Sequence, residues 1–413
     1  MSILIQARET DGPRTFIAPK WAEKYTRDQL PHRLPDLRND GENFWYLELG
    51  GTRDSIADTE ELRDELLAVA YGMWDFVKND PQNKEKFVNF ELDWMGFLPG
   101  KRESRRYVGD LIMTQHDVRS GKFDDIVAYG GWPMDDHDPE GFRSKGVPNV
   151  NHDAPSPFGV PYRCLYSKNI DNLLFAGRNI SISHVALSTT RVMATCAILG
   201  QAAGTAAVVA ARHGVDPRGV YQGHMRELQN MLMEDDCWLP GLRREASALT
   251  ANAALRLEAA APEKSARQPE VLRSGADRPT EEGENVLAMA LWSDARGDAV
   301  AYSFDRPTHV TKARLVFDSD LNRDTQPAGG IHKRPMYATY YLDTQPTRVP
   351  QTLVRDFRLA LTLADQTVRV VEVRDNHQRL VYVPIDAKVL AVRLEPVSTW
   401  GAAEARVFGF DLY

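Results

Sequence analysis

Residues 170–214 read IDNLLFAGRNISISHVALSTTRVMATCAILGQAAGTAAVVAARHG. The apolar run 172–176 has the length of a strand and stops at Gly177-Arg178. Glycine at 177 lets the backbone approach a ligand closely, and the planar guanidinium of Arg178 suits a phosphate. The small-residue composition that follows predicts a helix over about 193–212.

One face of this predicted helix carries Gly200, Gln201 and Gly204. Because the glycines have no side chain, a sheet, a helix or a planar ligand can lie close to this face. The N-terminus of the helix presents free N–H groups that suit an electron-rich ligand edge. A buried helix packed through small residues, with serines as caps, is the alternative interpretation of the same pattern.

This stretch closely resembles the C-terminal flavin-binding segment of the FAD-dependent oxidoreductase family, whose members are often described as xanthan lyase-related. The resemblance lies in NLLFAGRNIS, the following SH and AL, and TRVMATCAILGQAAGTAA. The resemblance implies FAD as cofactor, with Gly177 and Arg178 near its diphosphate. It also implies that Ser183, His184 and the start of the helix lie near the isoalloxazine ring. The cofactor contacts expected on this basis are Gly177, Arg178, Ser183, Arg191, Gly200, Gln201 and Gly204.

The composition is that of an ordinary globular protein. The chain has 413 residues, of which 43% are hydrophobic and 26% charged. A formal net charge of −8 argues against a nucleic-acid surface. No run approaches the roughly 18–20 apolar residues of a membrane span, and no signal peptide is visible. We therefore expect a cytoplasmic protein with no nucleic-acid or membrane partner. Three scattered cysteines suit neither a zinc site nor a disulfide framework.

The N-terminal region contains a predicted aromatic strand at 44–49, ended by Gly50-Gly51, and a helix over 59–79. The helix ends in a Trp-Asp-x-x-Lys-Asn run that the family also carries. Trp74 is therefore a candidate substrate contact, and a core position is the alternative.

Residues 101–139, KRESRRYVGDLIMTQHDVRSGKFDDIVAYGGWPMDDHDP, resemble a second signature of the same family, which begins R-E-S-R-R and ends in D-x-H. Arg102, Arg105 and Arg106 lie beside a predicted strand at 107–113, where guanidinium groups can bind carboxylates or phosphates. A solvated basic edge paired with Glu103 is equally compatible with the pattern. Thr114 is the predicted N-cap of a short helix.

The sequence Asp-Asp-His-Asp at 135–138 has the composition of a metal site, but neighbours on an extended chain point in alternate directions. We therefore interpret His137 as a proton-transfer group that Asp135, two positions away on the same side, orients. The resemblance implies that this motif lies near the reactive side of the flavin. His184 is a second candidate for proton transfer, and a surface acidic loop is the alternative for 135–138.

The C-terminal part has a different pattern. An amphipathic helix is predicted over 218–236 and a partly helical linker over 241–283. Seven short runs with near period-two alternation then predict an antiparallel sandwich: 299–304, 312–317, 338–342, 368–374, 379–383, 389–394 and 405–412. The ending, Trp400-Gly401 followed by ARVFGFDLY, resembles a discoidin or galactose-binding-like jelly roll. Trp292 and Trp400 are candidates for sugar stacking or for the core.

The chain contains no G-x-G-x-x-G motif between a strand and a helix, which is the usual binding site for the ADP half of FAD. The expected fold class is thus α/β, an incomplete Rossmann-like domain with an α+β substrate region, followed by an all-β jelly-roll sandwich. The expected boundaries are 1–240 for the oxidoreductase region, with substrate region 40–160 and flavin segment 160–214, then linker 241–283 and sandwich 284–413.

Two functional hypotheses follow. The first is the C-terminal part or subunit of an FAD-dependent oxidoreductase that transfers a hydride between an organic substrate and the flavin. His137 or His184 would move the proton, and Arg105, Arg106 and Arg191 would hold an anionic or hydroxylated, sugar-like substrate. Because this chain offers nothing to adenosine, a partner chain with the missing Rossmann half, or a homo-oligomer, is expected.

The second hypothesis is a non-catalytic carbohydrate-binding or structural protein derived from a truncated flavoenzyme. The missing half has three possible explanations: a split enzyme, a mis-called start, or a remnant gene.

Overall fold

A computed structural model describes residues 1–37, 44–101, 103, 105–155, 157–259, 268–279, 285–293, 296–320, 339–342 and 348–413. The chain forms two compact units. The first comprises Met1–Asp125, Tyr129–Ala203 and Thr325–Pro346. The second comprises Ile126–Ala128, Gly204–Asp324 and Thr347–Tyr413.

The helices are α1 Thr59–Asn79, α2 Gln115–Ser120, α3 His184–Thr190, α4 Met193–His213, α5 Pro217–Gly223, α6 Met225–Glu234 and α7 Ala248–Asn252. The strands are β1 Ile5–Glu9, β2 Phe90–Met95, β3 Ile126–Gly130, β4 Met134–His137, β5 Asn149–His152, β6 Phe158–Pro161, β7 Ala254–Glu258, β8 Leu287–Ala290, β9 Ala299–Phe317, β10 Thr339–Tyr340, β11 Val354–Leu363, β12 Val368–Val373, β13 Leu380–Thr399 and β14 Glu404–Leu412.

The core of the first unit is built on α1, whose bounds match the predicted helix 59–79. Glu60 and Glu61 lie in its first turn, where carboxylates interact favourably with the positive end of the helix dipole. Its buried stripe includes Leu66, Val69 and Met73, which pack in one cluster with residues of β1 and β2. Burial of this apolar face is the main stabilisation of the unit.

A three-stranded sheet accompanies this core, in the order β10–β1–β2. β1 pairs antiparallel with β2 and parallel with β10, where Ala7 lies opposite Thr339. Of the predicted run 338–342, only Thr339–Tyr340 is a strand among the described residues, and it pairs with β1 and not within the sandwich.

Several predicted elements of the first unit take other forms. The predicted strands 44–49, 107–113 and 172–176 each form only one isolated bridge, through Glu48, Met113 and Leu174 respectively. An apolar run becomes a strand only where a neighbour supplies a continuous ladder, and these runs lack one over their described length. Before the run 172–176, β6 is followed by a 3-10 turn at Tyr162–Cys164.

Other predictions are confirmed or refined. The predicted 193–212 helix is α4, which Gly214 follows with φ +64°. α2 begins after Thr114, whose backbone N–H and hydroxyl both bond Asp117 in a capping box. The helix predicted over 218–236 is two helices, α5 and α6, which meet at His224.

The second unit contains a seven-stranded antiparallel sheet, in the order β12–β11–β13–β9–β14–β8, with β7 also paired to β9. β9 and β13 each merge two predicted runs, because bulges bend them where the prediction placed turns. The predicted antiparallel sandwich is confirmed, as is the α/β character of the preceding region. β8 and β11 were not predicted, and β7 lies inside the predicted linker.

A fully buried ionic network holds the second unit together. Asp277 Oδ2 lies 2.8 Å from Arg314 Nη1 and 3.2 Å from Arg244 Nε, and Arg244 also pairs with Asp411. Arg314 donates to the carbonyls of the last turn of α6. Because burial costs each charge its hydration, the network tolerates no missing partner.

Candidate functional site

The first unit contains a cavity of about 370 Å³. This is the small end of the range of about 300–1,000 Å³ that is common for ligand pockets, so it suits a small substrate and not a whole dinucleotide. Its ionisable lining residues among those described are Glu48, Arg53, Glu103, Asp135, Asp136, His137, Asp138, His184 and Arg191.

His137 is the centre of this cavity's polar wall. Its Nε2 lies 2.8 Å from Asp135 Oδ2, and its Nδ1 lies 2.6 Å from Glu48 Oε2. Asp135 and His137 belong to β4, whose period of two places them on one face, as the sequence predicted. The His137 side chain is only 11% exposed, so both contacts are shielded from water.

Glu48 is a site residue that the sequence analysis missed. It comes from 89 positions upstream of His137, and its backbone carbonyl accepts a hydrogen bond from Phe142 N. Trp45 lies edge-on to the His137 ring, with 5.3 Å between the ring centroids. The available signal was a single carboxylate in the otherwise apolar run Phe44-Trp45-Tyr46-Leu47-Glu48-Leu49.

Two glycines let the loops close tightly around Glu48. A Cβ built on Gly141 would lie 2.2 Å from the Glu48 carbonyl oxygen, and Gly141 also has φ +57°. A Cβ on Gly51 would lie 2.2 Å from the Pro139 carbonyl oxygen. Both positions therefore require glycine, and this explains Gly51 better than a simple strand stop does.

Asp135 is held from three sides. Asn149, on the neighbouring strand β5, donates to its Oδ1 at 2.6 Å, and Arg191 Nη2 lies 3.0 Å from its Oδ2. Burial raises the pKa of Asp135, but hydrogen bonds from His137 and Asn149 and the charges of His137 and Arg191 outweigh it and hold that pKa below its usual value. Asp135 is therefore a fixed anion beside the imidazole.

His184 lines the same cavity, at the first position of α3, but in a different environment. Its side chain is 66% exposed, and its Nδ1 lies 2.6 Å from Glu103 Oε2. Arg106 Nε binds the other oxygen of Glu103 at 2.6 Å, which is the paired alternative considered for this arginine. Arg105 is exposed and is not among the described lining residues, and Arg102 lies outside the described part of the chain.

Trp74 is not a substrate contact. It is fully buried in the core of the first unit, 6.4 Å from Phe44 between ring centroids. Its position on α1 falls on the buried stripe, which faces the core and not the cavity. The prediction of a substrate role for Trp74 is therefore wrong, and the core alternative is right.

The other predicted flavin contacts lie on open surface. Gly177 has φ +98°, and Ala176 and Arg178 beside it are exposed. On α4, Gly200, Gln201 and Gly204 are exposed, and no atom lies within 4 Å of a Cβ built on either glycine. This open face fits the close approach of a planar group on one side, without enclosing it.

Two further members of the predicted flavin set have structural contacts. Ser183 caps α3, with its hydroxyl accepting from Ala186 N at 3.3 Å. Arg191 lines the cavity and binds Asp135. The role of the whole set in binding FAD stays a prediction.

The two candidate sugar-stacking tryptophans of the second unit are half-buried and engaged. Trp292 Nε1 donates to the Asp298 carbonyl, and Arg393 covers its ring at 4.8 Å. Trp400 Nε1 donates to the Asn376 carbonyl, and Arg355 covers its ring at 5.0 Å. These contacts favour the structural alternative for both residues.

One helix of the described chain, α4, has the length and composition of a membrane span, with a mean hydropathy of 1.6 over its most apolar window. This differs from the expectation that no run approaches such a length. A third of that window is buried, and a core helix of a soluble protein passes the same test. The absence of a membrane partner stays a prediction.

Comparison with solved structures finds weak likenesses to carbohydrate-binding modules. The family 32 module of Streptococcus pneumoniae EndoD is 15% identical over 40% of this chain and 99% of its own, with a TM-score of 0.28. A fucose-binding module from Streptococcus pneumoniae is 7% identical over 41% and 95%, with a TM-score of 0.27. Chitosan-binding module 1 from Paenibacillus sp. IK-5 is 9% identical over 40% and 97%, with a TM-score of 0.26. Scores this low carry no conclusion about ligands.

No curated protein sequence matches the chain. The family model described as FAD dependent oxidoreductase matches residues 5–232, more than half of the chain. That range contains β4, α3, α4 and all the cavity residues named above. The resemblance drawn from the two sequence signatures is thereby confirmed, and the chain belongs to the FAD dependent oxidoreductase family.

Proposed function

We propose that the cavity is the substrate pocket of an FAD-dependent oxidoreductase. In this proposal the Glu48–His137–Asp135 cluster moves the proton that accompanies oxidation or reduction of the substrate. When bound, FAD exchanges a hydride with an organic substrate. The observation that carries the proposal is a shielded imidazole held between two carboxylates at the wall of a small cavity.

The chain's own residues define how the proton moves. With both ring nitrogens protonated, His137 donates to Glu48 and to Asp135 together. To accept the proton of a substrate hydroxyl during oxidation, the ring must be neutral, with the nitrogen that faces Glu48 unprotonated; during reduction the doubly protonated ring gives that proton back to the substrate oxygen. Arg191 and Asn149 keep Asp135 in place, so Asp135 orients His137 and stabilises its charge.

The charges of the cavity favour a neutral, hydroxyl-rich substrate over an anion. Its described lining carries more carboxylates than guanidinium groups. Of the two arginines, Arg53 binds Asp58, Glu61 and Glu65, and Arg191 binds Asp135. A bound anion would meet carboxylates without a free cation among these residues, whereas a polyol or sugar finds acceptors for its hydroxyl groups.

FAD would be held in the first unit by Gly177 with the exposed Arg178, and by the exposed Gly200 and Gln201 of α4, which are among the residues that the resemblance assigns to it. Arg178 is exposed and can offer a bidentate contact to a phosphate oxygen pair. Because an open face buries only one side of a ligand, the affinity of the chain alone should be low. A second chain that carries a dinucleotide-binding half would supply the remainder.

A titration with FAD tests this proposal. The full chain is mixed with FAD, alone and together with a chain that carries a G-x-G-x-x-G domain encoded next to it, and the visible flavin spectrum is recorded after gel filtration. We expect about one retained flavin per chain in the mixture. Arg178→Gln should weaken retention about tenfold, as loss of one charge-assisted pair implies, while Arg119→Gln, at an exposed position on α2, should not.

Two results would contradict the proposal: no flavin retained in either preparation, or Arg178→Gln retaining it as tightly as the unmodified chain.

A further inference from the structure

A cluster of two histidines and a glutamate lies in the second unit, at the end of α4. We propose that His213, His224 and Glu227 bind one divalent transition-metal ion, with Zn²⁺ as the expected species. His213 is the last residue of α4, His224 lies between α5 and α6, and Glu227 is in the first turn of α6. The proposal is independent of the flavin and of the cavity of the first unit.

The ligand atoms already converge. One donor atom from each residue lies within 4.8 Å of the other two. His213 Nε2 is 2.6 Å from Glu227 Oε2, and His224 Nδ1 is 4.0 Å from the same oxygen. The two imidazole rings stack with 3.9 Å between their centroids.

Completing a coordination sphere needs a rotation of at least one of the two stacked imidazoles as well as small changes of distance, because the lone pairs of rings only 16° from parallel do not point at one ion. Metal–nitrogen bonds of about 2.0–2.1 Å at tetrahedral angles place ligand atoms about 3.3 Å apart. The His213–Glu227 distance must therefore open by about 0.7 Å and the His224–Glu227 distance must close by as much. The side chains of His213 and His224 are 34% and 26% exposed, which leaves them room to turn.

The donor set selects the class of ion. Two imidazoles and one carboxylate suit zinc and its neighbours in the first transition row, whereas magnesium and calcium prefer oxygen ligands alone. Three protein ligands leave at least one position for water.

Arg212 completes the surroundings of the ion. Its Nη1 lies 2.9 Å from Glu227 Oε1 and leaves Oε2 toward the histidines. Partners of this kind fix the orientation of a ligating carboxylate. A bound ion would then join the end of α4 to the start of α6, and the expected consequence is greater thermal stability in its presence.

The experiment uses the full chain, freed of metal by a chelator and titrated with ZnCl₂ in a calorimeter and with CoCl₂ in a spectrophotometer. We expect one ion per chain, a visible Co²⁺ band, and a thermal midpoint raised by a few degrees at about a hundredfold excess of ZnCl₂ over the dissociation constant. His224→Asn, which places a favourable N-cap residue before α6, and Glu227→Gln should each weaken binding by about tenfold or more.

His309→Asn is the matched control, because His309 Nε2 also lies beside a carboxylate, 2.9 Å from Asp386, but without a second histidine. It should bind the ion as the unmodified chain does. The proposal is overturned if the unmodified chain binds no ion, or if His224→Asn and Glu227→Gln bind as tightly as His309→Asn.

Discussion

Among single residues, His137 and His184 were the two candidates for proton transfer, and their surroundings separate them. His137 is shielded and has a carboxylate at each ring nitrogen, whereas His184 is mostly exposed and has one hydrogen bond to Glu103. A general acid or base needs a defined orientation and a controlled proton, and the surroundings of His137 provide both. We therefore prefer His137 for this role.

The sequence was informative about this site only over short distances. The i, i+2 spacing of Asp135 and His137 predicted their contact, because alternate residues of a strand share a face. Glu48 and Asn149 could not be paired with them from spacing, since the fold brings both from other segments. The prediction of a substrate role for Trp74 failed for a related reason, because a position in a sequence motif says nothing about which side of a helix faces the core.

Asp135→Asn should lower the free energy of unfolding of the first unit by about 1–3 kcal/mol at neutral pH, because the charge-assisted bonds to His137 and Arg191 are lost. Since folding holds the pKa of Asp135 below its unfolded value of about 3.9, its contribution is present above that pH and lost as the pH falls below it. Urea unfolding at about pH 7 and about pH 3 measures both effects.

Asp136→Asn, at the exposed neighbouring position, is the control and should change stability by less than about 0.5 kcal/mol. If the difference between Asp135→Asn and the unmodified chain is the same at both pH values, the ionised pairing described here is wrong.

Among the elements, helices were predicted better than strands. The signals are local: for α1 an apolar period and acidic residues in the first turn, and for α4 a run of small residues with a glycine after its end. A strand depends on a partner elsewhere in the chain, so 107–113 and 172–176 had the composition of strands without the pairing. The two long strands β9 and β13 were divided in the prediction because a bulge and a turn give similar sequence signals.

Lys78, near the end of α1, stabilises the first unit in a way that its position in the sequence motif did not predict. Its ammonium donates to the carbonyls of Phe87, Val88 and Phe90 at 2.6–3.0 Å. Lys78→Met leaves these buried acceptors without their donor and should lower the free energy of unfolding by about 2 kcal/mol. Thermal unfolding followed by circular dichroism measures the change.

Lys84→Met, at an exposed position, is the control. It should change the free energy of unfolding by no more than about 0.5 kcal/mol, as is usual for surface substitutions. Equal effects of the two substitutions would mean that the three carbonyl contacts contribute nothing.

For the whole molecule, the sequence predicted the fold class of both regions but not which segments of the chain belong to each. Part of the predicted linker is a strand of the sandwich sheet, and a short segment after residue 324 pairs with β1 of the first unit. Such exchanges depend on long-range pairing, which has no local signal. The buried network of Asp277 with Arg244 and Arg314 was also absent from the prediction, since its members lie in three separate segments.

Asp277→Asn tests that network. Asparagine has no charge to offset the buried guanidinium groups of Arg244 and Arg314. The free energy of unfolding of the second unit should therefore fall by about 3–5 kcal/mol. Backbone strain does not contribute, because asparagine tolerates the positive φ of 54° at this position as well as aspartate does. Guanidinium unfolding followed by tryptophan fluorescence measures the loss.

The matched control is Asp375→Asn, which removes an exposed aspartate paired with Arg355 in the same unit. Surface pairs contribute about 0–1 kcal/mol, so its effect should stay within that range. A similar loss of unfolding free energy in both variants would show that burial does not make the Asp277 network more important for stability than an exposed ion pair.

The most direct test of the central claim is the rate at which bound FAD is reduced without oxygen by a panel of sugars and polyols. The measurement compares unmodified protein with His137→Gln at equal flavin content. We expect at least one hydroxylated compound to reduce the flavin, and His137→Gln to slow that reduction by about 10²–10⁴-fold, the usual contribution of a general acid or base. Reduction at the same rate in both proteins, or by no compound of the panel, would contradict the account.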